Sequence, residues 1–235
     1  MARQRRPAPE AGLTKQRVVA EAIRLADLEG VDGLSMRRLA GSLGSGAMSL
    51  YHYVASKEEL LDAMIDVVFA EIDLPSEEAD WQAALRARAV SARQVLARHP
   101  WAIGLMESRT SPGPANLRHR EAVTACLRRA GFSVPMATHA NWLLDSYVYG
   151  FALQEAGLPF DTADGLADMT EGVFLPQLPP ADYPYLHESA SQLLATGYDP
   201  AAEFDFGLDL VLTALEPLRA PDRRSAPPGV GDVGT

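Results

Sequence analysis

The segment "LSMRRLAGSLGSGAMSLYHYV" at residues 34–54 constrains the fold of this chain more than any other stretch. It contains two short runs with helical spacing of apolar residues, the first opened by Ser35 and the second carrying Leu50 and Val54 inward. Between them, Gly44 permits the left-handed backbone that lets the chain leave one helix and turn into the next. The segment therefore predicts two short helices joined by a tight turn, the geometry of a helix-turn-helix.

Longer helical patterns flank this segment on both sides. Thr14 is expected to cap "TKQRVVAEAIRLADLEG", and Ser56 to cap "SKEELLDAMIDVVFAEI", which ends before Pro75. Acidic residues fill the first turn of the second pattern, where negative charge favours the helix dipole. The helix-turn-helix is thus predicted to be held between two amphipathic helices.

The rest of the chain also has helical periodicity and no alternating pattern long enough for a sheet. We expect helices near residues 77–99, 101–109, 115–130, 135–156, 182–196 and 200–218, with the Pro-, Gly- and Asp-rich stretch 157–181 left unassigned. The predicted fold class is all-α, with a larger helical domain after the N-terminal three-helix unit. The predicted boundaries are 1–12 for a disordered basic arm, 13–58 for the helix-turn-helix domain, 59–218 for the larger domain and 219–235 for a disordered tail.

Charge is distributed unevenly along the 235 residues. The net charge is −10, yet residues 1–57 carry nine Lys/Arg against five Asp/Glu, and the remainder carries twelve against twenty-six. A basic N-terminal segment on an acidic body is expected when one end meets a polyanion. The single Cys126 fits a reducing compartment, and no apolar run approaches the ~18 residues that span a bilayer. We therefore expect a cytoplasmic protein without a membrane partner.

The residue types around the predicted turn suit contact with double-stranded DNA. Short side chains at Ala47 and Ser49 allow a recognition helix to approach base edges, and Arg37 can reach a guanine. Tyr51 and His52 can donate to phosphate oxygens, and Lys57 lies at a helix N-terminus that favours a phosphate. Arg38 is equally well explained as a solvated helix residue.

At "LSMRRLAGSLGSGAMSLYHYVASKEELLDAM", following "EGVDG", the chain resembles the DNA-binding domain of the TetR family of bacterial transcriptional regulators. The resemblance implies a homodimer that binds a palindromic operator and leaves it when a small-molecule effector enters the C-terminal domain. The positions that contact DNA in that family correspond here to Arg37, Ala47, Met48, Ser49, Tyr51, His52 and Lys57. Ala47 and Met48 offer at most apolar contact to a thymine methyl group, so the operator sequence stays open.

The C-terminal domain resembles that of the tetracycline-repressor subgroup, most closely at "AGFS" and "SYVYGFALQE". The resemblance, together with a mixed aromatic and polar stripe on the long predicted helix, indicates a cavity for an apolar or aromatic ligand. The expected ligand-binding residues are Trp101, Leu105, Met106, Arg109, Thr138, Asn141, Trp142, Ser146 and Tyr149. A second stripe of that helix, with Leu143, Tyr147, Gly150 and Gln154, and a stripe of the last helix, with Leu208, Val211, Leu212 and Leu215, are expected at a dimer interface.

Rival interpretations stay open for this domain. Periodicity alone explains both stripes equally as core of one protomer, Trp101 and Met106 as ordinary core residues, and Arg109 as an ion-pair partner. Tetracycline repressors hold the drug and its magnesium ion with histidines, and the matching positions here are Ser146 and approximately Leu105. We therefore expect that magnesium–tetracycline is not the effector.

Other function classes find little support in the residue patterns. The histidines lack the spacing of a metal site, and no framed nucleophile motif occurs, so neither a metal, a cofactor nor an enzymatic activity is predicted. A binding module with a non-functional helix-turn-helix is the main alternative, and the basic N-terminal segment argues against it. Whether the regulator represses or activates depends on where its operator lies, although repression is expected.

Overall fold

The structure, a computed structural model, describes residues 13–106, 108–109, 111–159 and 163–219. The predicted basic arm at 1–12 lies outside the described residues, as does all of the predicted tail except residue 219. Within the described ranges every regular element is helical and no strand occurs, which confirms the all-α prediction.

Twelve α-helices run through the described residues. They are α1 Lys15–Glu29, α2 Met36–Ser42, α3 Ala47–Leu50, α4 Lys57–Glu71, α5 Trp81–Arg98, α6 Ile103–Met106, α7 Pro114–Arg129, α8 Val134–Ala156, α9 Ala163–Met169, α10 Leu175–Gln177, α11 Pro184–Thr196 and α12 Pro200–Leu215. Short 3-10 turns precede α6 and follow α12, and a π-helical turn at Thr170–Phe174 joins α9 to α10. The unassigned stretch 157–181 is therefore partly helical. None of the described helices is both long and apolar enough to cross a bilayer.

The chain divides into two compact units. The N-terminal unit contains the described residues up to Ile72 and those of 98–119, and the C-terminal unit contains 73–97 and the described residues from 120 onward. The predicted boundary between residues 58 and 59 falls inside α4, all of which belongs to the N-terminal unit. Sequence periodicity did not indicate that residues 98–119 return to this unit, because it carries no information on contacts between distant segments.

Side-chain caps set the helix starts in the N-terminal unit. The hydroxyls of Thr14, Ser35 and Ser56 each accept a hydrogen bond from the backbone N–H three residues later. Val18, Leu39, Leu50, Leu60 and Met64 are among the buried residues of the core that α1 to α4 form together. The three predicted caps, read from the sequence, are thus confirmed, and the core fixes α3 against its neighbours.

Glu21 ties α1 to α2 through a charged hydrogen-bonded cluster. Arg24 donates to its carboxylate from Nε at 2.9 Å and Nη2 at 2.6 Å, and Ser42 of α2 also donates to it. The bonds from Arg24, then those from Ser42, lower the pKa of Glu21 to about 2. Because the pKa falls on folding, this carboxylate stabilises the unit above the pKa of the unfolded chain and loses that contribution as the pH falls towards 2.

We expect the urea midpoint of the wild-type protein to fall more steeply between pH 5 and pH 3 than that of Glu21→Gln, whose amide does not titrate. Glu188→Gln, at an exposed position of α11, is the control and keeps the wild-type slope. The measurement is a urea titration at several pH values. Parallel wild-type and Glu21→Gln curves would contradict the assignment.

The C-terminal unit is built around aromatic packing between α8 and α12. Phe204 is fully buried, with its ring centroid 5.1 Å from that of Phe151 and 5.4 Å from that of Tyr147. The guanidinium of Arg93, on α5, lies 5.5 Å from the Phe204 ring centroid. This cluster sets which faces of α8 and α12 point inward.

The dimer stripe predicted for the last helix is wrong in three of its four members. Leu208, Leu212 and Leu215 are buried within the protomer, and Val211 is half-buried. They face the core because they follow Phe204 at helical spacing. The amphipathic pattern of a helix shows which side is buried but does not tell a protomer core from a subunit interface.

Candidate functional site

The helix-turn-helix forms as predicted, at the surface of the N-terminal unit. Gly44 has a φ of +64°, and the amide of Ser45 donates to the carbonyl of Ala40 at 2.9 Å, which closes the end of α2. The α3 helix begins at Ala47, with Gly46 as an N-cap that has no side chain to block approach to the helix start. Leu50 and Val54 are buried, so the opposite side of α3 is presented to solvent.

The predicted DNA contacts lie together around this exposed side. Met48 is 78 % exposed and Tyr51 is 43 % exposed, so both side chains are accessible to a partner. The other exposed members are Arg37, Ser49, His52 and Lys57, while Ala47 is half-buried. Arg38 forms an ion pair with Glu29, in keeping with a structural role. The surface thus combines two cations with hydroxyl, imidazole and apolar groups, as DNA contact requires.

Lys57 is the first residue of α4, directly after its Ser56 cap. The free N–H groups of that first turn and the Lys57 ammonium both favour an anion at this point. Lys15 of α1 pairs with Glu59 at 2.7 Å, and the second carboxylate oxygen of Glu59 accepts from the Ala55 amide at 2.6 Å. The start of α4 is therefore fixed, with its lysine facing solvent.

At its other end, α4 is joined to the 98–101 segment and to α1. His99, which is buried, lies with Nδ1 2.7 Å from Asp27 and Nε2 3.3 Å from Glu71. Trp101 Nε1 donates to Asp27 at 2.6 Å, and Arg98 donates to Glu71 at 2.8 Å. Partial burial raises the pKa of Glu71, but the hydrogen bonds from Arg98 and His99 lower it overall. These contacts fasten the C-terminal end of the helix that begins with Lys57.

Arg109 joins the middle of α4 to the same returning segment. Its Nε donates to Asp62 at 2.6 Å, and its Nη2 lies 2.8 Å from the carboxylate of Glu58 and 3.1 Å from the Glu58 carbonyl. The hydrogen bond to Asp62 raises the pKa of Arg109. Asp66 Oδ1 accepts from the amides of Ala115 and Asn116 at 2.8 and 3.0 Å, which caps α7. Three successive turns of α4 are thus bonded to residues 109–116.

The four predicted ligand-binding residues of the N-terminal unit all make contacts within that unit. Met106 is buried, and Trp101 and Leu105 pack against the core of α1 to α4. The indole N–H of Trp101 is bonded to Asp27, and Arg109 forms ion pairs with α4. These contacts agree with the alternative that Trp101 is a structural residue and Arg109 an ion-pair partner. Contact of these four residues with a ligand stays a prediction.

The five predicted ligand-binding residues of α8 share one side of that helix, as the spacing indicated. Thr138, Trp142 and Ser146 are exposed, with Trp142 at 66 %, whereas Asn141 and Tyr149 are half-buried. The inward side of α8 is instead the stripe Ala137, Ala140, Leu144, Val148 and Ala152. The predicted stripe therefore borders the core of the unit without forming it, and its ligand role stays a prediction.

Sequence patterns did not reveal the most deeply buried charge of the C-terminal unit. Arg88 of α5 is 2 % exposed and pairs with Asp145 of α8 at 2.8 Å. Asp145 lies one turn from both Asn141 and Tyr149, so these three polar side chains are neighbours along α8. Removing one partner of such a pair leaves a buried charge without compensation, which costs about 3–5 kcal/mol. Arg88 reads as an ordinary polar residue in the sequence, which is why it was missed.

A seam of exposed residues, most of them without a polar side chain, lies on α8 and α12. On α8 the exposed residues at alternating spacings of four and three are His139, Leu143, Ser146, Gly150 and Leu153. On α12, Phe206 is 64 % exposed and Leu210 58 %, one turn apart and opposite the buried stripe. Of the residues predicted at an interface, Leu143, Gly150 and Gln154 are exposed, while the Tyr147 hydroxyl donates to the Phe204 carbonyl at 2.7 Å. Over the described part of the chain, no three His, Cys, Asp or Glu side chains are arranged to hold a metal.

Comparison with known proteins gives a family match for each of the two halves of the chain. Residues 18–64 match the family described as bacterial regulatory proteins, tetR family, and residues 74–218 match the tetracyclin repressor-like C-terminal domain. The HTH-type transcriptional repressor DrrR1 of Streptomyces coeruleorubidus is 36 % identical, over 95 % of this chain and 86 % of its own. The class C tetracycline repressor of Escherichia coli is 27 % identical, over 88 % and 92 %.

A solved structure gives the same result for the fold. The TetR-family protein ActR of Streptomyces coelicolor, in complex with actinorhodin, has a TM-score of 0.72 and 32 % identity, covering 87 % of this chain and 97 % of its own. The matched relatives are transcriptional regulators, in agreement with the prediction that the chain is not an enzyme. By its helix-turn-helix, its C-terminal domain and these relatives, the chain belongs to the TetR family of bacterial transcriptional regulators.

Proposed function

We propose that the protein is a homodimeric repressor that binds a palindromic operator and is released from it by a small apolar or aromatic effector. The observation that carries this proposal is the solvent-facing α3, with short side chains at Ala47 and Ser49 and with exposed Arg37 and Lys57 on the adjoining helices α2 and α4. Each N-terminal unit forms one DNA-binding head of the dimer and places its α3 in the major groove. The two α3 helices lie about one helical turn of DNA apart. Because its operator would lie on bacterial DNA, the protein is proposed to act in the cytoplasm. Relatives named as repressors support the sign of regulation.

The seam on α8 and α12 supports the dimer. Alternating spacings of three and four residues are those of helices that pack lengthwise in a bundle. Two copies each of α8 and α12 would bury Leu143, Leu153, Phe206 and Leu210, and the exposed Gly150 allows close helix approach. Exposed leucine and phenylalanine side chains on two helices that contact each other are the kind of apolar surface that subunit interfaces cover.

The C-terminal unit is the proposed effector-binding domain. Its relative ActR was solved in complex with actinorhodin. Asn141 and Tyr149 are half-buried and each lies one turn along α8 from Asp145, so they offer polar groups at the border of the apolar core, as ligand sites need. Ser146 and approximately Leu105 correspond to the positions where tetracycline repressors have histidines, so we keep the expectation that magnesium–tetracycline does not bind.

Release is proposed to act through α4. This helix carries Lys57 at its first residue and is bonded along its length to residues 98–116 through Asp62, Asp66 and Glu71. A displacement of that segment therefore moves the helix that holds a phosphate contact. The effector shifts the population towards dimers whose heads no longer match successive major grooves.

Two alanine variants test the DNA contacts. Arg37→Ala should relax base preference at one position of each half-site, because a guanidinium that reads a base edge is lost. Lys57→Ala should weaken binding to all sequences alike and reduce the slope of log affinity against log salt by about two per dimer. Both are measured by fluorescence anisotropy across a salt series.

Arg129→Ala is the control for these variants, since Arg129 is exposed at the end of α7 and pairs only weakly with exposed Glu77. It should leave affinity, base preference and salt slope unchanged. An unchanged salt slope in Lys57→Ala would mean that Lys57 makes no phosphate contact.

A further inference from the structure

A groove of about 590 Å³ lies within the N-terminal unit, between α1, α4 and residues 111–114. Its volume is in the range of small-molecule sites. Apolar side chains from all three segments line it, among them Val19, Ala63, Val67 and Pro112. Val67 is 39 % exposed there, so a branched apolar side chain faces open space. None of the residues proposed to bind DNA or effector lines this groove.

The third wall of the groove is fastened to α4. Asp66 Oδ1 accepts from the amides of Ala115 and Asn116, directly after the lining residues Gly113 and Pro114. Gly113 packs against the Asp66 side chain so closely that a Cβ atom would collide with its carboxyl carbon. The approach of the loop to α4 thus depends on a glycine, and the groove has three defined walls.

The carboxylates of the groove outnumber the cations that pair with them. Glu59, Asp62 and Asp66 all line it, with Lys15 as the one lining cation. Lys15 forms an ion pair with Glu59. Arg109 forms an ion pair with Asp62 and a second one with Glu58. The described partners of Asp66 are two backbone amides on a single oxygen. One negative charge therefore remains next to an apolar wall.

We propose that this groove binds an organic monocation, with a protonated amine at Asp66 and an apolar body along Val19, Ala63 and Val67. An ammonium group gains a charge-assisted hydrogen bond with the carboxylate, and the apolar body removes Val67 from water. A neutral ligand of the same shape lacks the first contribution, and an anion meets repulsion. The site is a second small-molecule site that involves the N-terminal unit alone.

The test uses the full-length protein and three probes of one shape: 4-phenylbutylammonium, 4-phenylbutanol and 4-phenylbutanoate. Binding is followed by amide chemical shifts in NMR titrations. We expect 4-phenylbutylammonium to bind about tenfold more tightly than the alcohol, to shift the amides of Ala20, Ala63 and Val67, and the carboxylate to bind least. Equal affinity of amine and alcohol, or shifts confined to other parts of the chain, would overturn the proposal.

Two variants separate charge from space. Asp66→Asn keeps a side chain that can cap α7 and should reduce the amine affinity to that of the alcohol. Val67→Trp fills the groove from an already exposed position and should abolish binding of both. Asp182→Asn, an exposed change in the C-terminal unit, is the matched control and should bind all three probes as wild type does. If Val67→Trp is folded and still binds the amine normally, the groove is not the site.

Discussion

Leu210→Asp is expected to convert the proposed dimer into monomers and to lower operator affinity by at least about 100-fold. Leu210 is 58 % exposed in the protomer, so a carboxylate there is solvated when the chain is monomeric. In the proposed bundle the two carboxylates would be buried in the subunit interface, where an unpaired charge costs several kcal/mol. A single head makes half of the contacts, which accounts for the loss in affinity.

The matched control is Leu186→Asp, on α11 and 56 % exposed. It introduces the same charge at a similarly exposed leucine and should stay dimeric with wild-type affinity. Sedimentation velocity gives the oligomeric state, and anisotropy on the same samples gives the affinity. A Leu210→Asp protein that sediments as a dimer would show that α12 does not form the interface through this face.

Phe204→Ala is expected to lower the free energy of unfolding of the C-terminal unit by about 3–5 kcal/mol. The side chain is fully buried between the rings of Phe151 and Tyr147, so its removal leaves a cavity beneath α12. It also removes the ring face next to the Arg93 guanidinium, which is held by Glu155 at 2.5 Å. Arg93 would keep its ion pair with Glu155 and its contact with the Phe151 ring, 5.5 Å from its guanidinium, but lose the contact with the Phe204 ring.

Phe206→Ala is the control for this prediction, since it removes the same side chain two residues away at a position 64 % exposed. Both changes are made in the Leu210→Asp background, so that dimer dissociation does not enter the measurement. Urea unfolding followed by circular dichroism should show a change below about 1 kcal/mol for Phe206→Ala. Similar losses in both variants would mean that the inward and outward faces of α12 have been assigned wrongly.

The helices of the N-terminal unit could be predicted from the sequence because local signals determine where they begin and end. Capping residues, the glycine break and the apolar spacing of α1 to α4 all act within a few residues of one another, and Gly44 adopts the left-handed conformation that the turn needs. The return of residues 98–119 to this unit could not be predicted in the same way. It depends on contacts such as Arg109 with Asp62, 47 residues apart, for which a single sequence has no local signal.

In the C-terminal unit the sequence predicted which residues share a helix face but not what covers that face. The sequence prediction places the buried stripe of α12 at an interface and does not include Phe206 and Leu210. An apolar residue on the outer side of a helix cannot be recognised as such until the buried side is known. The burial of Arg88 could not be predicted because it involves a second helix. Its burial depends on Asp145 approaching from another helix.

The most direct test of the whole account is selection of bound duplexes from a random DNA pool by the full-length protein, followed by affinity measurements on the winning sequence across a salt series. We expect an inverted repeat with half-sites about one helical turn apart, nanomolar affinity and a steep salt dependence. Enrichment of a single half-site, or uniformly weak binding with no preferred sequence, would contradict a dimeric operator-binding repressor.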